Sequence, residues 1–276
     1  MREAFEIITS RQNALLVEVH KLADRKHRAR LEQFRFDGVK LAAEALAKGV
    51  ELRAVLLRRT DAEHVLERVA DLSGREFDEK TRVVCVEDDV FDRLSQENAP
   101  EGIICVAHAQ RQLHGAWTSR DIPVEQRVML LESVRDPSNL GAIVRSAAAL
   151  GVDRLVLSAD CADIYHPKTL RASMGTVFSE QIDIADDLIE VIRALQASGR
   201  RVLAAALEPD SSRLGEMELH PGDCAVVGNE GHGLCPETLA ACGQSVYIPM
   251  TDHAESLNAA VAASLLMWEL FGKGRI

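Results

Sequence analysis

Aromatic residues make up only 4% of the 276 positions, so rows of rings for stacking exposed bases are not this chain's main hold on a nucleic acid. Its six cysteines, at 85, 105, 161, 224, 235 and 242, form no Cys-x-x-Cys pair. No Cys/His set has zinc-like spacing, and no metal is expected. The longest apolar run, AAVAASLLMW, is too short to span a bilayer, so no membrane partner is expected. The acid-containing start MREAFEIITSRQ lacks the apolar stretch of a secretory leader. Cys85, Cys105 and Cys224 sit in apolar runs, where a free thiol behaves as a small hydrophobe. The simple reading is a reducing cytoplasm.

A net positive charge is also missing. The formal charge of -11 argues at first sight against a polyanion partner. The distribution modifies that. Residues 1–60 hold 13 Lys+Arg against 8 Asp+Glu, and every later stretch is acidic. The basic excess is concentrated in KLADRKHRARLEQFR, residues 21–35. Lys21, Arg25, Lys26, Arg28, Arg30 and Arg35 are therefore the candidate phosphate contacts, weighed against an ordinary solvated helix face.

What is present alternates. Residues 1–35 read as helical, with Leu15, Leu16, Val19 and Leu22 at helical spacing. A helix over 37–49 closed by Gly49, a strand over 52–59, a helix over 61–72, and strands over 81–88 and 101–110 make a small α/β unit. HGAWTSRDIPVEQ has turn residues and little periodicity and reads as a linker. The division is a helical extension over 1–23, an α/β domain over 24–112, a linker over 113–126 and a second α/β domain over 127–276. In the second domain strands and helices alternate strongly, which predicts a parallel sheet covered on both faces. Ligands in such sheets bind beyond the carboxyl ends of the strands.

Three stretches after strand ends carry the chemistry. In ESVRDPSNLGAIVRSAAALG no G-x-G-x-x-G follows the strand, which counts against a nicotinamide enzyme. Asp136-Pro137 makes a turn, and Ser138 or Asn139 can cap the next helix. On a helical wheel Arg145 falls about 140° from Leu140, at the edge of the apolar stripe. VVGNEGHGL has glycines at 228, 231 and 233 that permit close backbone approach, but no P-loop Lys-Ser/Thr. In YIPMTDHAESLNAAVAASLLMWEL, Pro249 ends a strand, and Ser256 or Asn258 begins a helix apolar nearly all round and therefore expected to be buried. Met250 and Leu257 suit either an apolar slot for a ligand ring or plain core packing.

In this order, DPSNLGAIVRSAAALG, VVGNEGHGL and IPMTDHAESLNAAVAASLL resemble the SpoU/TrmH branch of the SPOUT RNA methyltransferases, as does LRASMGTVF between them. The likeness covers about 127–272. FRFDGVKLAAEALAKG resembles the small ribosomal-protein-like substrate-binding domain that precedes such enzymes, with Asp37 where that domain usually has Glu. The resemblance implies a C-terminal trefoil knot, a homodimer, S-adenosyl-L-methionine as cofactor and methylation of a ribose 2′-hydroxyl in RNA, with ribosomal RNA favoured. The same chemistry on transfer RNA and a silent RNA-binding or ribosome-assembly protein are the alternatives. By motif position it assigns catalysis to Arg145, Asn139, Glu230, Ser256 and Asn258. It assigns cofactor contacts to Gly228, Asn229, Gly231, Ile248, Met250 and Leu257.

Overall fold

A computed structural model describes residues 5–118 and 122–272. The chain forms two compact units, Met1–Gln110 with Tyr165–Phe178, and Arg111–Ile164 with Ser179–Ile276.

The first unit runs β1 (Glu6–Ile8), α1 (Ala14–Lys21), α2 (Arg25–Leu31), β2 (Gln33–Asp37), α3 (Val39–Ala47), β3 (Leu52–Arg58), α4 (Ala62–Ser73), β4 (Arg82–Val86), α5 (Asp88–Leu94) and β5 (Ile103–His108). The sheet order is β1-β4-β3-β5-β2. β1, β4 and β3 are parallel, and β5 runs antiparallel to β3 and β2. The start is not the continuous helix expected over 1–35. Glu6–Ile8 is extended along β4, and the helical part is split. Asp24 accepts the Lys26 N–H at 2.6 Å and restarts the helix, and Glu32, left-handed at φ 54°, ends it before β2. Leu15, Leu16, Val19 and Leu22 are buried in one cluster with Leu56 of β3 and Val84 of β4, so the extension is part of this core.

Two expected phosphate contacts are corrected here. Arg28 is buried, and its guanidinium donates to the carbonyls of Leu22 and Ala23 at 2.8 Å, closing the end of α1. Arg35 is 1% exposed, donates to both Asp37 oxygens at 2.7 and 3.0 Å, and reaches the Leu94 carbonyl. Asp37 also accepts from Ser95 Oγ and the Gln96 N–H. Both arginines are committed to the fold because an unpaired buried cation is prohibitively costly. Charge counting treats buried and exposed cations alike.

The second unit contains β6 (His114–Ala116), β7 (Val128–Leu131), α6 (Pro137–Leu150) and β8 (Arg154–Ser158). The chain then contributes α7 (Pro167–Ala172) to the first unit. There Tyr165 stacks on Phe34 with centroids 4.2 Å apart, and Phe178 packs on Phe36 at 5.3 Å. LRASMGTVF thus lies within the span read as the second domain but packs with the first. The second unit resumes with β9 (Ile182–Ala185), α8 (Leu188–Ala197), β10 (Val202–Ala205), β11 (Ser212–Arg213), β12 (Cys224–Val227), α9 (Pro236–Cys242), β13 (Gln244–Tyr247) and α10 (Ala259–Met267).

Its eight strands, in the order β11-β13-β10-β12-β7-β8-β9-β6, are all parallel. Side chains alternate between faces. Val128, Leu130, Val202 and Val226 share a buried cluster with Val191, Ile192 and Leu195 of α8. The intervening Met129, Leu131, Leu203 and Ala225 are buried as well, so both faces are covered. The span read as a linker holds β6, and the buried Arg200 donates to the carbonyls of Pro123 and Gln126.

Candidate functional site

β7 and β12 are neighbours whose continuations diverge. β7 leads through α6 to β8 on one side, and β12 leads through α9 to β13 on the other. Such a reversal of strand order opens a crevice beyond the carboxyl ends of the strands. All three chemistry-bearing stretches lie at carboxyl ends of strands in this sheet, following β7, β12 and β13.

The first loop is built around a strained residue. Ser133 has φ 54° without being glycine, a conformation that persists only when its surroundings hold it. Its N–H donates to Ser158 Oγ at 2.8 Å, its hydroxyl to Asp160 at 2.6 Å, and its carbonyl accepts from Asn229 Nδ2 at 2.8 Å. Burial alone would raise the Asp160 carboxyl, but hydrogen bonds from Ser133, Ser158 and Arg135 outweigh it and hold it down at about 2. Asp136, not Ser138 or Asn139, caps α6, accepting from both of their N–H groups. Pro137 occupies the first helical turn, where its missing donor costs nothing. The Asn139 side chain is therefore left for other partners.

Those partners join the three loops. Asn139 Nδ2 donates to Glu230 Oε1 at 2.7 Å, and Asn139 Oδ1 accepts from Asn258 Nδ2 at 2.9 Å. Asn258 Oδ1 caps α10 through the Ala260 and Val261 N–H groups. Asn229 Oδ1 accepts the Gly231 N–H at 2.8 Å, and its backbone pairs with Gly233 in both directions. Gly228 is required by close approach. A Cβ there would collide with the Gly233 carbonyl and lie 2.6 Å from the Leu234 nitrogen. Beneath this loop the buried Glu132 carboxylate accepts from the Cys235 N–H and from Thr238 Oγ1.

A cavity of about 410 Å³ lies beside the glycine loop, within the roughly 300–1,000 Å³ of small-molecule sites. Gly228, Asn229, Glu230, Gly231, Ile248, Met250, Ser256 and Leu257 line it. Met250 is 44% exposed, so it is not core packing. Ala205 and Ala206 at the end of β10, with Leu207 and Glu255, are also part of the wall. Sequence reasoning missed these, as it missed Glu132, Ser133 and Asp160, because none sits in a pattern that signals a ligand. Apolar walls together with Glu230 and Glu255 suit a ligand that carries both an apolar ring and a positive charge. Asn139, Asn258 and Arg145 do not line the cavity.

Arg145 lies on α6, exposed, with no hydrogen-bond or ion-pair partner among the described residues. The next residue, Ser146, accepts a hydrogen bond from Ser264 Oγ of α10 at 2.8 Å. The small Gly141, Ala147, Ala260 and Ala263 in the two helices are buried. α10 is not buried all round. Val261 and Leu265 of α10 are 47 and 40% exposed, and Trp268, just past its end and three residues on from Leu265, is 43% exposed. Apolar composition could not distinguish a helix sunk in its own unit from one with a bare face.

Of the remaining cationic candidates Lys21, Arg25, Lys26 and Arg30 are exposed. Cys85, Cys105, Cys161, Cys224 and Cys242 are buried, and burial raises each thiol, that of Cys242 to about 12. Among the described residues no cluster of His, Cys, Asp and Glu is arranged to hold a metal, and no helix is long and apolar enough to cross a membrane.

Comparison with known proteins agrees with this geometry. The model of the SpoU rRNA Methylase family matches residues 126–268, and that of the MRM3-like substrate binding domain matches 13–105. The chain is 28% identical to the 23S rRNA (guanosine(2553)-2′-O)-methyltransferase RlmP of Bacillus subtilis, over 96% of this chain and 99% of that protein. It is 29% identical to the 23S rRNA (uridine(2479)-2′-O)-methyltransferase of Streptomyces viridochromogenes, over 95% and 90%. The crystal structure of an AdoMet-bound rRNA methyltransferase from Sinorhizobium meliloti superposes with a TM-score of 0.78 at 27% identity, covering 96% of each chain. A cavity at the carboxyl ends of parallel strands, three loops joined through one asparagine and a family match over the same residues lead to one conclusion: the chain belongs to the SpoU rRNA methylase family.

Proposed function

We propose that this protein transfers a methyl group from S-adenosyl-L-methionine to a ribose 2′-hydroxyl of ribosomal RNA. The observation that carries the reading is the Glu230–Asn139–Asn258 bridge, which ties the helix bearing Arg145 to the two loops that wall the cavity. The names of the relatives favour ribosomal over transfer RNA.

When bound, S-adenosyl-L-methionine supplies a methyl group already activated on a sulfonium. The protein's tasks are alignment and removal of the hydroxyl proton as the new O–C bond forms. Gly228, Ile248, Met250 and Leu257 hold the adenosine, with Asn229 and Gly231 shaping the turn beneath it. Asn139 fixes Glu230 and Asn258 in place, and Ser256 and Asn258 order the third loop. Arg145 clamps the phosphate beside the reacting sugar and orients the hydroxyl. The hydroxyl proton leaves to solvent as the O–C bond forms.

Lys21, Arg25, Lys26 and Arg30 hold the RNA backbone. Two chains pair through the bare Val261 and Leu265 of α10 with Trp268 just past its end, a trefoil threading accompanies the family fold, and the setting is cytoplasmic. The test is Arg145→Ala, with S-adenosyl-L-methionine affinity and methyl transfer measured separately. Unchanged cofactor affinity with transfer reduced about 10²-fold or more is expected, the cost of a misplaced acceptor. Near-wild-type turnover in a folded variant would remove Arg145 from the mechanism.

A further inference from the structure

We infer that a cleft between α1 and α5 in the first unit holds one nucleotide of single-stranded RNA, base inward and phosphate at the rim. The inference rests on the proposed RNA substrate and extends it to a subsite that the methyl-transfer chemistry does not use. The cleft encloses about 310 Å³, the lower end of small-molecule sites and enough for a nucleotide but not a duplex. Its floor is aliphatic. Leu16, Val90 and Leu94 are buried there, and Val17 is 39% exposed at its edge. Arg11, His20, Lys21 and Arg93 stand around it.

The charge balance at the rim is favourable to an anion. Asp89 pairs with Arg11 at 3.2 Å. The nearby acids Glu18 and Asp92 are engaged by Arg53 and Arg58. Lys21 and Arg93 have no acidic partner among the described residues. Cations in the last turn complement a helix dipole, which would account for Lys21 in α1 and Arg93 in α5. Asp89 already holds Arg11 at the rim, but neither that pair nor the dipole accounts for the apolar floor left open between the cations. An unpaired base needs an apolar slot and its phosphate needs cations, and RNA is read mainly through such splayed bases. Guanidinium planes take the place of the aromatic rings that the lining of this cleft lacks.

The test uses the full chain and a ribosomal RNA transcript. Arg93→Gln should weaken binding and lower the slope of log affinity against log salt by about 1, the mark of one lost phosphate contact. Val17→Trp fills the cleft and should weaken binding with the slope unchanged. Neither should alter S-adenosyl-L-methionine affinity. A transcript substituted with 4-thiouridine should photocrosslink within 14–21 or 88–94. Unchanged RNA affinity and slope in both variants, with crosslinks confined to other segments, would overturn the cleft as an RNA site. Wild-type methyl transfer distinguishes the two ideas: transfer with unaffected variants sinks the cleft alone, whereas RNA binding without transfer sinks the proposed reaction and leaves the cleft standing.

Discussion

Replacing Asn139 by alanine removes two hydrogen bonds at once, one to the Glu230 carboxylate at 2.7 Å and one from Asn258 at 2.9 Å. A bond to a charged group is worth roughly 1.5–3 kcal/mol and a neutral one roughly 0.5–1.5. Asn139 and Glu230 are half-buried and Asn258 is exposed, so water replaces part of what is lost. The low ends apply, about 2 kcal/mol in all. If that loss falls on the transition state, kcat/KM drops about 30-fold. Asn139→Asp should be worse, because it sets a second carboxylate against Glu230 in place of a donor. The assay is transfer of labelled methyl to ribosomal RNA, with cofactor affinity by calorimetry and folding by thermal melt. Two results would refute the bridge: alanine within threefold of wild type, or aspartate at least as active as alanine.

Gly228→Ala should lose cofactor binding, because its Cβ has no room against Gly233 and Leu234, at an overpacking cost of about 1–3 kcal/mol. Gly231→Ala should bind nearly normally, since its Cβ would meet only Asn229 Oδ1 at 3.5 Å; calorimetric titration of both variants checks the pair. Asp160 has its folded carboxyl at about 2 against an ordinary 3.8. Its stabilisation is thus complete above 3.8 and is lost as the pH falls toward 2. Asp160→Asn should flatten that acid limb in a melt-versus-pH series, modestly because the side chain is 46% exposed; an unchanged limb would remove Asp160 from the support of Ser133.

Much was decided by sequence alone. Alternating periodicity dictated the parallel sheet, since a strand buried on both faces must be apolar throughout, as Val128–Leu131 is. The ordered loops likewise pointed to the cavity, because glycines, caps and turn residues are chosen by local backbone geometry, which neighbouring residues determine. Tertiary structure decided whatever depends on partners distant in the chain. Arg28 and Arg35 read as phosphate contacts until their burial was seen, and Asn139 read as a cap until Asp136 took that place and freed it to reach residues 91 and 119 positions away. Asp160 and Glu132 carried no local signal, because a carboxylate's role is set by the donors that fold around it. The same limit applies to α10, where composition specified an apolar helix and only packing determined which of its faces stayed bare.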